Sequence, residues 1–414
     1  MVKPGYKQSE VGIIPEDWGV TTLRAAFPKL EAGVSVNSDN MTSSQFHVLK
    51  TSAVHNGIFD PAEIKPVIKA DYSRLKCPLV QGSIIISRMN TPTLVGECGY
   101  VKNAPADVYL PDRLWQIQNP KDSAYNFEWL NYLLNTKQYR DAVRATATGT
   151  SNSMKNISKE RLMEVEIPWL SLDEQNRISV ALSDIDALIV NLEKLIAKKK
   201  AIKQGAMQEL LTGKRRLPGF EGEWVGIEIG QNGYLLRESI NPQEHTSTLF
   251  CEYSMPAFDD RRIPVKTYGS DMHSNRTVIY GTVLLFNKLN VRQKRIWLVN
   301  AIESNSVCSS EFLAYCSDTL DLRLMAQLLS TEKITNDFIG MSTGTSNSQK
   351  RITPNNFLEY SVYVPKDINE QSAIADILGD MDSGIAALEE KISKVKLLKS
   401  GMMSELLTGR IRLL

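Results

Sequence analysis

The sequence predicts an α+β fold in which two globular domains are separated by two long antiparallel helices that form a coiled-coil spacer, with a pseudo-two-fold internal repeat. Three observations predict this fold: the hexapeptide TGTSNS occurs at residues 148–153 and again at 343–348, each half opens with short β-type runs, and each half closes with a long heptad pattern. With 414 residues, the chain is also longer than a single hydrophobic core usually supports.

The repeat extends well beyond the hexapeptide. At a constant offset, Glu174, Gln175, Asp184 and Asp186 match Glu370, Gln371, Asp380 and Asp382. Farther on, MQELLTGKRRL at 207–217 matches MSELLTGRIRL at 403–413. A period of nearly half the chain is too long for a solenoid, whose units have about 20–50 residues. The chain therefore carries a duplicated domain with its connector, and its divergent fronts suggest different targets on one common frame.

The front of each half carries β-type runs bounded by Gly, Pro and Asn. They are SIIISR, LVGECGYV and LWQIQ in the first half, and TVLLF, RIWLVNAI and FLAYC in the second. A helical stretch follows in each half, at about 125–145 and at about 319–339. These patterns predict two α+β globules.

The back of each half has apolar residues in a 4-3 alternation, which is the seam of a coiled coil. The seam residues are Ile178, Leu182, Ile185, Ile189, Leu192 and Ile196 in the first half, and Ile374, Leu378, Met381, Ile385, Leu388, Ile392 and Val395 in the second. Gly213 and Gly409 follow the two segments as C-caps. The first helix leads from the first globule to the second, and the second helix begins where the second globule ends. Helices that pack along their length must therefore be antiparallel.

Composition restricts the class of protein. The chain is 42% hydrophobic and 23% charged, and it has no apolar run near the roughly 18 residues of a membrane span. The N-terminal sequence lacks the apolar core of a secretory signal, and the five cysteines form no CxxC pair, which predicts a reducing, cytoplasmic location. Lys and Arg number 48 against 47 Asp and Glu, so the net charge indicates no nucleic-acid partner by itself.

Several blocks of this sequence resemble the specificity subunit of type I restriction-modification enzymes. They are GYKQSEVGIIPEDW at the start, GTSNSMKNIS before IPWLSLDEQNRI, and ELLTGKRRLPGFEGEW at the exit of the first helix, with the same order again in the second half. The resemblance covers nearly the whole chain, and its most specific parts are the two blocks that flank each helix.

The resemblance implies a first target recognition domain at 1–170, a first spacer helix at 171–213, a second target recognition domain at 214–366 and a second spacer helix at 367–414. Each domain would read one part of a split target in double-stranded DNA. The implied partners are two modification subunits, which methylate adenines with S-adenosylmethionine, and restriction subunits, which use ATP and Mg. No catalysis, no cofactor and no membrane contact is expected of this chain itself.

The motifs of catalysis are missing from the sequence. The [ND]PP[YF] motif of an adenine methyltransferase is absent, and LLTGKRR fails as a phosphate-binding loop because Gln208 and Arg215 replace the required Gly and Ser/Thr. The four histidines lie apart without the spacing of zinc ligands, so no metal site is predicted.

Candidate base contacts follow the strand runs. Arg88 and Asn90 come after SIII, with Lys288 and Asn290 in the matching place of the second half. Arg and Asn pair bidentately with guanine and adenine edges, whereas the alternative is simply a polar strand end. Arg113 is predicted either as a further DNA contact or as the partner of its neighbouring aspartate.

A basic run in the second front suits phosphate contact. Arg292, Lys294 and Arg295 join Lys288 in the densest cluster of cations of that globule. The alternative interpretation is a solvated loop.

The hexapeptides offer small polar donors next to a lysine in each half. The predicted contacts are Thr150, Ser151, Asn152 and Lys155, and their counterparts Thr345, Ser346, Asn347 and Lys350. Helix-start signals follow at Ser158 and at Thr353. The alternative is a structural turn between globule and helix. In either case two joints of the same sequence would present the same surface to two identical subunits.

Two other functions compete with DNA recognition. A stand-alone modification enzyme is disfavoured by the missing motifs. A scaffold of two globules and a coiled coil that binds protein partners stays open, and it would show no salt-dependent preference for any DNA sequence.

Overall fold

The computed structural model describes residues 2–27, 29–39, 43–120, 123–148, 154–301, 303–344 and 349–413. The chain divides into two compact units. The first comprises Met1–Leu192 and Lys391–Leu414, and the second comprises Glu193–Glu390. Both mix helices and strands, as the sequence predicts.

In the first unit, most strands are short. They are β1 (Tyr6–Ser9), β2 (Gly12–Pro15), β3 (Gly19–Thr22), β4 (Leu30–Ala32), β5 (His47–Leu49), β6 (Val54–His55), β7 (Ile58–Phe59), β8 (Ile64–Pro66), β9 (Ile84–Ser87), β10 (Met89–Asn90), β11 (Cys98–Tyr100), β12 (Val108–Tyr109), β13 (Leu114–Ile117), β14 (Ala147–Thr148), β15 (Lys155–Ile157) and β16 (Glu166–Trp169). The helices are α1 (Leu23–Ala26), α2 (Phe127–Leu134), α3 (Lys137–Ala145), α4 (Lys159–Met163) and the long α5 (Leu172–Leu210), which continues into the second unit.

The second unit repeats this plan with longer strands. They are β17 (Trp224–Glu228), β18 (Tyr234–Leu236), β19 (Ser239–Ile240), β20 (Leu249–Tyr253), β21 (Val265–Tyr268), β22 (Arg276–Val278), β23 (Gly281–Asn287), β24 (Ile296–Ala301), β25 (Ser306–Ser309), β26 (Phe312–Cys316) and β27 (Ser361–Pro365). The helices are α6 (Met255–Asp260), α7 (Leu322–Leu329), α8 (Glu332–Met341), α9 (Pro354–Leu358) and the long α10 (Ile368–Leu406), which continues into the first unit.

The central sheets of the two units have the same order. In the first unit the order is β11-β9-β13-β4, and in the second it is β24-β23-β26-β18, with antiparallel pairing throughout. Beside each lies a second sheet with one parallel pair, β5 with β12 and β20 with β25. The middle strand β9 is buried along its whole length. Its first three residues are isoleucines, as expected of a strand that is covered on both faces. The divergent fronts therefore share one topology.

Each predicted helical stretch consists of two helices rather than one. α2 ends before Thr136, whose hydroxyl accepts the N–H of Tyr139, and α7 ends before Thr331, whose hydroxyl accepts the N–H of Ile334. A threonine in this position caps the next helix and so interrupts the previous one.

The long helices cover Leu172–Leu210 and Ile368–Leu406 of the predicted spans 171–213 and 367–414. Each ends in a turn where a glycine takes a positive φ, 70° at Gly213 and 69° at Gly409, which is the geometry of a C-terminal cap. At about 1.5 Å per residue, each helix is roughly 58 Å long.

Within each unit, α5 and α10 contact each other in antiparallel orientation. In the first unit Lys399 of α10 pairs with Asp186 of α5 at 2.7 Å, and in the second Lys203 of α5 pairs with Asp382 of α10 at 2.6 Å. These are the same two positions of the repeat with the helices exchanged.

Burial along the long helices follows the predicted seam. The seam positions that are buried are Ile178, Leu182, Leu192, Ile374, Leu378, Ile385, Ile392 and Val395, whereas Ile185, Ile189, Ile196, Met381 and Leu388 are half-buried. Among the described residues, no helix is both long and apolar enough to cross a membrane.

Candidate nucleic-acid interface

In the first unit, the central strand β9 leads into a small sheet that carries several predicted DNA contacts. β10 pairs with β15, which places Asn90 opposite Lys155, and β15 pairs with β14. The N–H of Ile157 also donates to the carbonyl oxygen of Arg88 at 3.0 Å. The sheet therefore brings Arg88, Asn90 and Lys155 together at the end of β9.

The second unit contains the same arrangement. Leu289 and Thr343 both bridge to Arg351, as the strands β10 and β14 bridge to β15. The N–H of Asn290 donates to the carbonyl oxygen of Lys350 at 2.8 Å. The segments on either side of each hexapeptide thus pair with each other, and in both units they pair with the segment that follows a central strand.

Six of the predicted contacts lie outside the described residues. They are Thr150, Ser151, Asn152, Thr345, Ser346 and Asn347. The helix starts that follow are confirmed: Ser158 accepts the N–H of Arg161 as the cap of α4, and Thr353 caps α9 with a complete capping box and Pro354 in the first turn.

Arg88 is engaged inside the protein. Its Nε donates to Oδ1 of Asn156 at 3.2 Å, its Nη1 reaches the carbonyl oxygen of Asp112 at 3.5 Å, and its guanidinium lies 5.5 Å from the ring centre of Trp115. These contacts hold the Arg88 side chain at the end of β9. Arg88 could contact a base only if these contacts broke.

Asn90 is likewise bonded to its own loop. Its side chain donates to Oγ of Ser87 at 3.2 Å and accepts the N–H of Thr91 at 2.8 Å. Its counterpart Asn290 has a left-handed backbone with φ of 52°, a conformation that asparagine tolerates better than most residues. The asparagines therefore shape both turns.

The basic run of the second unit is partly neutralised. Lys294 pairs with Glu332 at 2.5 Å, and Arg295 binds both carboxylate oxygens of Asp259 at 2.8 and 2.7 Å. The hydrogen bonds from Arg295 hold the pKa of Asp259 below its ordinary value. Arg292 is exposed and forms no ion pair within the described ranges.

Lys288 lies half-buried at the end of β23, where its backbone N–H donates to the carbonyl oxygen of Glu311 at 3.0 Å. Lys350 is half-buried on the hairpin arm opposite Asn290. Three predicted cations of this unit, Lys288, Arg292 and Lys350, thus lie near the hairpin or the turn after β23. None of the three pairs with a carboxylate in the part of the chain that the structure describes.

Two arginines near the first hairpin were missed by the sequence reasoning. Arg144 and Arg140 of α3 both face the buried carboxylate of Glu97, at 2.9 and 3.8 Å. Two guanidinium groups around one carboxylate leave a local excess of positive charge, and Nε of each arginine lacks a partner. The sequence feature that predicts this pair is the four-residue spacing of the two arginines, which places them on one face of α3.

The repeated blocks build one clamp in each unit. Arg216, which follows α5, binds both carboxylate oxygens of Glu370 at the start of α10, at 2.6 and 2.7 Å. Arg412, which follows α10, binds Glu174 at the start of α5 in the same way, with a 2.8 Å bond from Nη2. We call these the Arg216 clamp and the Arg412 clamp. The sequence showed the repeat but not this exchange of partners.

The Arg412 clamp is the more extended of the two. Arg412 also binds the carboxylate of Asp17 at 3.0 and 2.9 Å and lies 5.7 Å from the ring centre of Trp18. The hydrogen bonds that Arg412 donates lower the pKa of Asp17, and the bonds it makes to Glu174 and Asp17 raise the pKa of the guanidinium. A glutamine next to each clamp makes a further matching contact. Gln175 accepts the backbone N–H of Asn126, the N-cap of α2, and Gln371 accepts that of Asp321, the N-cap of α7.

No cluster of three or more His, Cys, Asp or Glu side chains suited to a metal ion occurs among the described residues. The described residues place hydrogen-bond donors and cations around two equivalent hairpins. Such groups bind polyanions and position them.

Comparisons with known proteins agree with this arrangement. Residues 15–204 match the family described as type I restriction modification DNA specificity domain. In Methanocaldococcus jannaschii, the MjaVIII specificity subunit is 28% identical over 217 residues, which is 51% of this chain and 49% of that protein. The MjaX specificity subunit of the same organism is 23% identical over 241 residues, 55% of this chain and 56% of the relative. Each match thus spans about half the length of these relatives.

Two solved structures share the fold. The type I restriction-modification S subunit of M. genitalium superposes with a TM-score of 0.60 at 15% identity, over 94% of this chain and 96% of that one. A chain from a study of the assembly and conformational transition of the type I R-M system gives a TM-score of 0.53 at 14% identity, over 96% and 99%. Residues 15–204 therefore match the type I restriction modification DNA specificity domain, and the chain as a whole shares the fold of these two solved structures.

Proposed function

We propose that this chain reads a bipartite target in double-stranded DNA, one half-site with each unit, and directs adenine methylation and DNA cleavage by partner subunits. One observation carries the proposal. Both units contain the same arginine–glutamate clamp and the same backbone hydrogen bonds between the hairpin and the end of the central strand, whereas their fronts differ in sequence. A common frame with two different fronts suits one task performed on two different sequences.

The partners follow from the same duplication. Two identical modification subunits need two similar surfaces, and the paired clamps and hairpins would supply them. We assign methyl transfer with S-adenosylmethionine, and ATP- and Mg-dependent translocation and cleavage, to the partner subunits, because the sequence carries neither the [ND]PP[YF] motif nor a phosphate-binding loop.

The first test is to co-express the chain with its modification subunit and to map methylated adenines on genomic DNA by single-molecule sequencing. We expect two short defined blocks around an unspecified gap, with one methylated adenine on each strand. Binding to that target should weaken steeply with salt, because each phosphate contact releases a counterion. Methylation without a split motif, or an active complex with no DNA preference, would favour the protein scaffold instead.

A second test changes the length of α5. Inserting four residues within 186–200 adds about 6 Å of helix, which compares with the rise of roughly two base pairs. We expect a longer gap between two unchanged half-sites, read from the same methylation map. Replacing the exposed Lys198 and Lys199 by alanine alters the same helix without lengthening it, so it should leave the gap unchanged. A changed half-site with the original gap would contradict the proposed role of the helices.

A further inference from the structure

The central sheets allow the two fronts to be matched residue by residue, which their sequences do not. Leu114 lies opposite Ser87 at the start of β13, and Phe312 lies opposite Asn287 at the start of β26. The residues immediately before, Arg113 and Glu311, are therefore equivalent.

The backbone confirms this equivalence. The carbonyl oxygen of Arg113 accepts the N–H of Arg88 at 2.9 Å, and that of Glu311 accepts the N–H of Lys288 at 3.0 Å. One frame position thus carries a cation in the first unit and an anion in the second.

The side chains of Arg113 and Glu311 also differ in their contacts. Glu311 is bound by Arg351 of the hairpin at 3.0 Å. The residue of the first unit at the place of Arg351 is Asn156, which bonds Arg88 and leaves Arg113 aside. Arg113 is exposed, and within the described part of the chain its guanidinium has neither a hydrogen-bond nor an ion-pair partner, not even the neighbouring Asp112.

Arg113 also borders a cavity of about 430 Å³ whose lining includes the cations of Lys65 in β8 and Lys50 after β5, and the carboxylate of Asp112. Lys50 is paired with Glu63 at 3.6 Å, and the hydroxyl of Ser52 donates to the same carboxylate. Lys65 has no carboxylate partner among the described residues, and Thr51 contributes a hydroxyl group to the lining. A concave surface with an excess of cations suits a segment of the DNA backbone with a base edge beside it.

We infer that Arg113 determines which base the first unit prefers at one position, reading a guanine edge while Lys65 contacts a phosphate. This inference rests on the proposed function and adds to it the reading residue. A guanidinium matches the O6 and N7 acceptors of guanine bidentately. Glu311 at the equivalent position is bound by Arg351 and so is not offered to a base, which would give the two half-sites different requirements.

The test uses the full chain in complex with its modification subunit. Replacing Arg113 by glutamine should relax one position of one half-site, with affinity for the original target reduced roughly 5- to 150-fold, as expected for a lost bidentate contact. The other half-site and the gap should not change. The variant Arg113→Lys keeps the charge but loses the planar fork, so we expect it to relax the same position.

A second variant separates base reading from charge. Lys65→Ala should weaken binding to all DNA sequences alike and reduce the salt slope by about one, with the methylation motif unchanged. The control is Lys137→Ala, which removes an exposed cation of α3 that pairs only with Asp141 at 2.5 Å, and it should change neither motif nor affinity.

The outcomes distinguish this inference from the proposed function. If the unaltered complex yields no split motif, the proposed function fails. If the unaltered complex yields a split motif and Arg113→Gln retains every base of it at full affinity, the assignment of position 113 is wrong. The variants at Arg113 and Lys65 alter an exposed and a half-buried side chain, and a thermal unfolding curve that matches the unaltered chain shows that the fold is intact.

Discussion

Replacing Arg412 by alanine is expected to lower the free energy of unfolding of the first unit by about 3 to 5 kcal/mol. The reason is the carboxylate that remains behind, because Glu174 is only 4% exposed and would keep the N–H of Trp18 at 3.2 Å but lose its charged partner and two parallel bonds. An unpaired charge at a buried site costs far more than the net contribution of the intact pair. For a unit of this size, the loss corresponds to roughly 6–20 °C in the thermal midpoint.

The matched control is Arg410→Ala, two residues earlier in the same tail. Arg410 pairs with Glu405 at 3.4 Å on the surface, and such a pair contributes at most about 1 kcal/mol. Differential scanning calorimetry of both variants, with Arg216→Ala as the equivalent change in the second unit, measures the difference. Equal and small losses for Arg412→Ala and Arg410→Ala would show that Glu174 is satisfied without the clamp.

The Arg412 clamp also predicts the response to acid. Arg412 lowers the pKa of Asp17, so the stabilisation from this pair is complete above the ordinary pKa range of a carboxyl group. It is lost as the pH falls through the lowered pKa of the folded state. In Arg412→Ala the stability of the first unit should consequently depend less on pH in that acidic range.

Replacing Gly33 by alanine is expected to disrupt the front of the first unit. A Cβ atom at this position would lie 1.6 Å from the carbonyl oxygen of Leu110 and 3.0 Å from that of Pro111, so the backbone must move. Overpacking of this kind costs about 1–3 kcal/mol or more. The displaced segment leads directly to Arg113, and we therefore expect lower thermal stability together with weakened recognition of one half-site.

Gly205→Ala is the control for this change, because a Cβ there meets nothing within 4 Å and the residue lies inside α5. Alanine favours the helix over glycine by about 1 kcal/mol, so stability should be unchanged or slightly higher. Both variants are compared by thermal unfolding and by the methylation map. A Gly33→Ala variant with the normal midpoint and normal motif would mean that the segment at 110–113 relaxes without cost.

The regular elements could be predicted because their signals are local. The buried run SIII gives β9, the runs TVLLF, RIWLVNAI and FLAYC give β23, β24 and β26, and the heptad pattern gives α5 and α10. The division of each helical stretch at Thr136 and Thr331 was missed although capping threonines were present.

The site was less predictable because it depends on register between distant strands. The positions after SIII were identified from their residue types, but the structure binds Arg88 to Asn156 and Asp112 and leaves Arg113 exposed instead. The equivalence of Arg113 and Glu311 has no trace in the sequence, since neither residue type nor spacing is shared. Only the hydrogen bonds of the central sheets align them.

The exchange of partners in the two clamps has a consequence for how such a gene can change. Each clamp takes its arginine from behind one helix and its glutamate from the start of the other, so each unit is closed by residues from both halves of the sequence. TGTSNS follows each front and ELLTG ends each long helix, so the second front lies between one copy of each stretch. A recombination event with its crossovers in these two stretches would replace the second front as a block. Glu174, Glu370 and Arg412 would be retained, and the incoming block would have to bring an arginine at the position of Arg216. Under the proposed function, a block that carries this arginine would change one half-site in a single exchange and still close both units.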